Sequence, residues 1–266
     1  MIASDSPALP FRDRWLAAWI RRGWRGSAKL AHVLGLQDSV LARTTHGTVF
    51  ALQPFAYIDR TVLRSGYYES EVLAALRPHL GPGAVLWDIG ANFGLHSLTA
   101  KLLSPETTVV SFEPAPAIHA RLAHHARLNQ LDLLLSPLAL SDSSGSATLH
   151  LAPRGNSGMT TLSPWSGTAY TGTLLVATAR GDNLIAHGAL PAPTVVKIDV
   201  EGHELPALTG LTTTLASTPC RAVIFEDSFD ENSPVKQLLR TTGFAVSPLP
   251  RHEDTAHALG NFVAQK

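Results

Sequence analysis

Short apolar runs along the chain alternate with stretches of helical spacing. Residues 84–87 and 195–198 lack the alternation of a half-exposed strand, so they read as strands of a parallel sheet buried on both faces. Residues 109–112, 131–135 and 222–225 read as further strands, and 244–247 and 261–264 as two that close the domain. Between them the period turns helical. Leu95, Leu98 and Leu102 fall at i, i+3 and i+7; Ile118, Leu122 and Ala126 share a face of a helix over 115–129; Leu205, Leu208 and Leu211 mark another; and 234–242 a last one.

The first third follows a different rhythm. Residues 1–10 read as disordered, and 11–34 as one or two helices with Trp15/Trp19 and Leu16/Ile20 at i, i+4. Residues 39–45 and 48–53, joined at His46-Gly47, read as a β-hairpin. Gly66-Tyr67-Tyr68-Glu69 then precedes a helix, with Ser70 as its expected cap and Val72, Leu73 and Leu76 on its inner face. The expected division is therefore an N-terminal helical and hairpin extension, 1–65, and a catalytic domain, 66–266. Residues 143–180 are the least regular, with strands expected over 147–151 and 174–179. Between those strands, residues 154–161 form a glycine-rich loop that reads as a lid, an acceptor-recognition segment or a mobile connection.

Candidate chemistry gathers where the strands give out. The first core strand ends at Asp88, and the turn after it runs Gly90-Ala91-Asn92-Phe93-Gly94 into a helix. Strand, glycine turn and helix let the backbone press against a nucleotide-like ligand. A dinucleotide enzyme wants G-x-G-x-x-G and a helix N-terminus for pyrophosphate. Here the glycines are spaced G-x-x-x-G, and the Asp88 carboxylate beside them repels phosphate while suiting an ammonium or sulfonium. S-adenosylmethionine (SAM) carries both. The second strand ends in Glu113, an acceptor for two ribose hydroxyls. Ser141-Asp142 follows the third strand, in a position suited to an adenine edge, and Glu69 either closes a first helical turn or reaches over the methionine end. Residues 195–204 supply a second charged stretch: period-two geometry places Lys197, Asp199 and Glu201 on one side, with His203 just beyond.

Composition narrows the classes. Hydrophobic residues make up 45% and charged residues 16% of 266, as in a globular protein with a sizeable core. Lys+Arg and Asp+Glu both number 21, so no net field favours nucleic acid. The single cysteine, Cys220, rules out an internal disulfide and reads as an inert core residue. No apolar run is long enough for a bilayer, and the apolar piece over 15–20 is too short for a signal peptide, so the expected location is cytoplasmic. Arg12, Arg14, Arg21, Arg22, Arg25 and Lys29 stand against Asp13 alone, which leaves two readings of the first helix: one lying on an anionic membrane surface, or one packed on the catalytic domain. His119, His124 and His125 read as a solvated helix face, and the His252/Glu253/Asp254/His257 cluster as a polar loop without a metal.

Taken in order, Gly66-Tyr67-Tyr68-Glu69, the stretch 88–94, Phe112-Glu113-Pro114, Ala139-Leu140-Ser141-Asp142 and the stretch 197–204 resemble the FkbM family of SAM-dependent methyltransferases. The resemblance spans about residues 58–227. It implies a class I SAM-methyltransferase fold, Rossmann-like, with a seven-stranded mostly parallel sheet whose last strand is reversed and helices on both faces. It also implies methyl transfer to oxygen, on a sugar or glycan or a polyketide-like acceptor. By position, Asp88, Gly90, Asn92 and Gly94 form the methionine-side turn, Glu113 holds the ribose, Ser141 and Asp142 flank the adenine, and Asp199 and Glu201 border the methyl. Two positions depart from the family: His96 stands where an aromatic is common, and His203 where a small residue is common. The expected base for the acceptor hydroxyl is Asp199, Glu201 or His203. A further expectation places Mg²⁺ on Asp199 and Asp227. Two rivals share the pattern: an NAD-dependent oxidoreductase, and a non-catalytic subunit of the same fold.

Overall fold

The computed structural model describes residues 8–21, 39–153, 155–250 and 259–266. Its centre is a seven-stranded sheet built from β3 (Val85–Ile89), β4 (Thr108–Phe112), β5 (Leu134–Ser136), β9 (Val195–Ile198), β10 (Ala222–Ser228), β11 (Ala245–Pro248) and β12 (Leu259–Gln265). The order across it is β11-β12-β10-β9-β3-β4-β5. All neighbours pair in parallel except β12, which runs against both β10 and β11. The one reversed strand is the last in the chain, as the family resemblance implies.

Period two decides what each sheet face covers. Leu86, Val109, Val195, Ala222 and Ile224 point to one side, onto Val72 and Leu76 of α3 (Ser70–Leu76) and Ala100 of α4 (Leu95–Leu103). Trp87, Val110, Val196, Val223 and Phe225 point to the other. There they meet α7 (Glu204–Thr209), α8 (Thr212–Ala216) and α9 (Pro234–Thr241). Trp87 is fully buried, tilts against Phe112 at 4.9 Å between rings, and donates its indole N–H to Pro191 O at 3.0 Å. Each such side chain contributes about 1.5–3 kcal/mol on burial. Cys220 is buried and free, in line with an inert role.

The N-terminal elements do not stand apart. α1 (Phe11–Arg21), the hairpin β1 (Val40–Arg43) and β2 (Val49–Leu52), and α2 (Tyr57–Ser65) share one apolar cluster with Phe93, Leu95, Leu98 and Leu122 of the catalytic domain. Leu16, Ala17 and Ile20 of α1 face inward, so this helix packs on the domain. Asp13 is buried beneath it and accepts from Leu41 N–H at 3.0 Å. Helix α2 was not expected, although Ile58 and Val62 lie at i, i+4 and Gly66, at φ +88°, ends it in the left-handed conformation.

Several expectations need correcting. The residue before α3 that serves as its cap position is Glu69, at φ +53°, with no side-chain cap bond; Ser70 is already helical. The third core strand is 134–136 rather than 131–135, because Leu131 and Leu133 pack into the apolar clusters before pairing begins. The strands expected over 147–151 and 174–179 are β7 (Gly145–Leu151) and β8 (Gly172–Ala179), which form a separate sheet with β6 (Ala139–Leu140). On α5 (Pro116–Leu128), His124 is exposed but His125 is buried. It accepts from Ala51 N–H at 3.2 Å through Nε2 and donates from Nδ1 to Phe93 O at 2.9 Å, and burial pushes it down to about 4. The expected continuation of the first helix to residue 34, with Arg22, Arg25 and Lys29, lies outside the described residues. So do Arg154 and the His252/Glu253/Asp254/His257 cluster.

Candidate active site

The turn after β3 lies hard against the end of β9. Gly90 has φ +77°, and a Cβ there would stand 1.9 Å from the Asp199 carbonyl oxygen, so any side chain would force the two apart. Asn92 also takes a left-handed conformation, at φ +49°, and closes on itself by accepting from Phe93 N–H at 2.9 Å through Oδ1. Its own N–H donates to Glu113 Oε2 at 3.0 Å, while Glu113 Oε1 accepts from Ala115 N–H at 2.9 Å. Each oxygen of this carboxyl keeps a further lone pair for a ligand. Burial pushes Glu113 up to about 7 against the pull of those two N–H groups.

Behind the turn sits an ion pair. The Lys197 ammonium lies 3.3 Å from Asp88 Oδ1 and 3.7 Å from Asp199 Oδ2, and donates to Gly90 O at 3.2 Å. Burial opposes its charge, but Asp88, Asp199 and Glu69 outweigh that and hold its pKa above the ordinary lysine value. The other Asp88 oxygen takes the Ser97 hydroxyl. At 1% exposure, Asp88 thus holds Lys197 in place from outside the cavity wall.

Glu69, Gly90, Asn92, Glu113, Asp199, Glu201 and His203 all line one cavity of about 850 Å³, mouth included. Gly94, Ser141 and Asp142 do not. Gly94 starts α4 at φ +94°, where a Cβ would meet Leu98 and Leu122. Ser141 stands one contact back: its hydroxyl bonds His203 Nε2 at 3.1 Å, and Ser163 engages Nδ1 at 3.1 Å, so both nitrogens of the ring are held. Burial lowers the His203 pKa and keeps the ring neutral. The glycine-rich loop covers one side of the cavity with Ser157, Gly158, Thr160 and Thr161; Thr161 Oγ1 donates to Glu201 O at 2.7 Å.

The acidic residues crowd one another. Strand β9 ends at Ile198, and Glu201 reaches the cavity through a left-handed residue (φ +56°) rather than by strand alternation. Burial, then the Asp199 and Glu226 carboxylates, push Glu201 up to about 9. Burial and Asp199 push Glu226 up to about 8. Asp199, a third exposed to the cavity, is raised by burial while Lys197 pulls it back. Glu69 ends below its ordinary value: burial opposes ionisation, but His96, 3.4 Å away, and Lys197 favour it. His96 is buried between Glu69 and the Tyr67 hydroxyl and lines neither this cavity nor its neighbour.

Glu226, Tyr68 and the loop hydroxyls line the cavity without having been singled out. Glu226 was visible as the acidic end of a strand, and Tyr68 as the neighbour of Glu69. The expected Asp199–Asp227 cation pair does not form. Asp227 accepts from Ser228 N–H at 2.7 Å and from the Ser233 hydroxyl that caps α9, and no group of three or more His, Cys, Asp or Glu among the described residues is placed to hold a metal ion. No described helix is long and apolar enough to cross a membrane.

The cavity's charged lining, among the described residues, is Glu69, Glu113, Asp199, Glu201 and Glu226, with no lysine or arginine. Such a lining repels a pyrophosphate and suits a ligand that carries an ammonium and a sulfonium. With the reversed last strand and the glycine turn, it defines a class I SAM-dependent methyltransferase. The chain belongs to the FkbM family: the methyltransferase FkbM domain matches residues 88–246. It is 32% identical over 187 residues to the "Hexuronic acid methyltransferase AglP" of Haloferax volcanii, covering 70% of this chain and 74% of that one. It is 33% identical over 107 residues to the "31-O-demethyl-FK506 methyltransferase FkbM" of Streptomyces tacrolimicus, covering 40% and 37%. Among solved structures it is similar to P. horikoshii TYW2 in complex with MeSAdo (TM-score 0.48, 11% identity, 94% of this chain and 83% of that one). The dinucleotide and non-catalytic readings give way to a methyltransferase.

Proposed function

We propose that the protein moves the methyl group of SAM to a hydroxyl oxygen of a sugar-type acceptor. The observation that carries this reading is the row of carboxylates at the ends of β9 and β10, with Asp199 and Glu201 in the wall of a cavity that also holds Glu113. SAM supplies an electrophilic methyl and a sulfide leaving group. Glu113 takes the ribose through the lone pairs that its two backbone donors leave free. Gly90 and Asn92 shape the turn against the methionine part, and Glu69 faces its ammonium. Ser141 acts through His203, which it orients, and Asp142 accepts from Ser141 at 3.4 Å. Asp88 fixes Lys197, and Lys197 fixes the Gly90 carbonyl and Asp199.

An alcohol is a poor nucleophile until its proton is taken. Asp199 and Glu201 are the groups for this task, since burial raises both toward neutrality and makes each a stronger base than an exposed carboxylate. His203 is neutral, but its nitrogens are both engaged by hydroxyls, which suits it to positioning. The relatives support oxygen as the target, one being named for a hexuronic acid and one for an O-demethyl natural product. The test is calorimetric titration with SAM, followed by turnover of Asp199→Asn and Glu201→Gln against glycoside acceptors. Loss of about 10²–10⁴ in kcat with SAM affinity kept is expected of the base. Wild-type kcat in both variants would overturn the assignment.

A further inference from the structure

A second cavity adjoins the first and shares Tyr68, Glu69 and Glu226 with it. It opens about 1410 Å³, mouth included, between the N-terminal elements and the reversed strand β12. On the N-terminal side stand His46 from the hairpin turn and Tyr57 from α2; on the other stands Asn261. Two aromatic pairs build the wall. Tyr57 meets Tyr68 edge to face, with ring centroids 6.4 Å apart, and His46 meets Tyr67 the same way at 4.8 Å. Asn261 donates from Nδ2 to Glu71 Oε1 at 3.2 Å.

Resting on the function proposed above, we infer that this second cavity seats the methyl acceptor, and that the acceptor is an uncharged polyhydroxylated ring rather than an acidic sugar. Shared walls at Tyr68, Glu69 and Glu226 bring an occupant to the carboxylate end of the SAM cavity. Tyrosine faces stack on the apolar face of a sugar ring, while hydroxyls, amide and carboxylates answer its OH groups. Burial, then Glu69 and Asp199, hold the Tyr68 phenol above its ordinary pKa, so it remains an O–H donor at the junction. A sugar carboxylate would find no such welcome. Among the described residues that line the cavity there is no lysine or arginine, whereas Glu69, Glu71 and Glu226 all line it. His46 does not offset them, since burial and the nearby Arg77 lower its pKa. An unpaired anion beside carboxylates is costly to bury. The relative named for hexuronic acid would then differ from this chain in acceptor charge.

The experiment offers the full chain a panel of p-nitrophenyl hexosides and the matching hexuronides, with SAM, and reads S-adenosylhomocysteine and methylated product by mass spectrometry. SAM binding is measured alongside by calorimetry. The inference expects the neutral glycosides to be methylated with kcat/KM at least about tenfold above their hexuronides. Equal or better use of hexuronides overturns it, and so does SAM binding without methylation of any glycoside. Failure to bind SAM instead overturns the methyl-donor reading on which it rests. Tyr57→Ala, outside the SAM cavity, is expected to raise acceptor KM about fivefold or more with SAM affinity unchanged; an unchanged KM overturns the location. Glu71→Lys is expected to shift the preference toward hexuronides, and no shift counts against the charge argument.

Discussion

A single methyl group on Gly90 would have to share space with the backbone of β9. Gly90→Ala combines that clash with a left-handed φ that costs about 1 kcal/mol for alanine. The expected outcome is a lower melting temperature and loss of SAM binding by calorimetry. Glu113→Gln tests a different property. An amide keeps the shape, but its NH2 must face either the Asn92 or the Ala115 N–H, both of which now donate to the carboxylate. SAM affinity is expected to fall at least about tenfold, while the melting temperature holds or rises, because the amide carries no charge to desolvate. A variant that binds SAM as tightly as the wild type would remove Glu113 from the site.

At the scale of the element, β9 is a strand whose only charged residue is paired on both sides. Lys197→Met leaves Asp88 buried beside Ser97 without its ammonium, a loss of about 3–5 kcal/mol. Adding Asp88→Asn to Lys197→Met is expected to recover much of the stability but not the activity, since the Gly90 carbonyl and Asp199 stay unheld; denaturant melts and turnover of the single and double variants check this. The strands were legible because buried parallel strands announce themselves as unbroken apolar runs, and their acidic ends mark where the sheet meets its ligand. Other elements depend on partners far along the chain. β6 and β8 pair across about 40 residues of sequence, so nothing local separates them from the main sheet. Glu201 reaches the cavity through a left-handed backbone that alternation does not foresee. His125 looks like one of three surface histidines until the hairpin closes over it.

The whole molecule carries a pH signature. Glu113, Glu201 and Glu226 keep protons in the folded chain up to about 7, 9 and 8, whereas an unfolded chain releases them near the ordinary 4.5. Their folded values are raised, so their contribution to stability is complete below the unfolded value and is lost as pH rises through the folded ones. The unliganded protein is expected to melt at lower temperature at pH 9 than at pH 6. SAM favours the ionised carboxylates, so its binding is expected to release protons near pH 7.5, seen as a buffer-dependent enthalpy in calorimetry. A buffer-independent enthalpy would contradict the raised values. The hairpin carries a different consequence. Its outer edge pairs with no strand. Instead Val49 N–H donates to Asn129 Oδ1 and Val49 O accepts from Asn129 Nδ2, both at 2.7 Å, and Ala51 N–H donates to His125. A two-stranded hairpin is marginal alone, and every one of these partners is made roughly 70–80 residues later. The segment that leaves the ribosome early therefore waits for α5 before it can settle, and the N-terminal wall of the acceptor cavity is the last part of the enzyme to be finished.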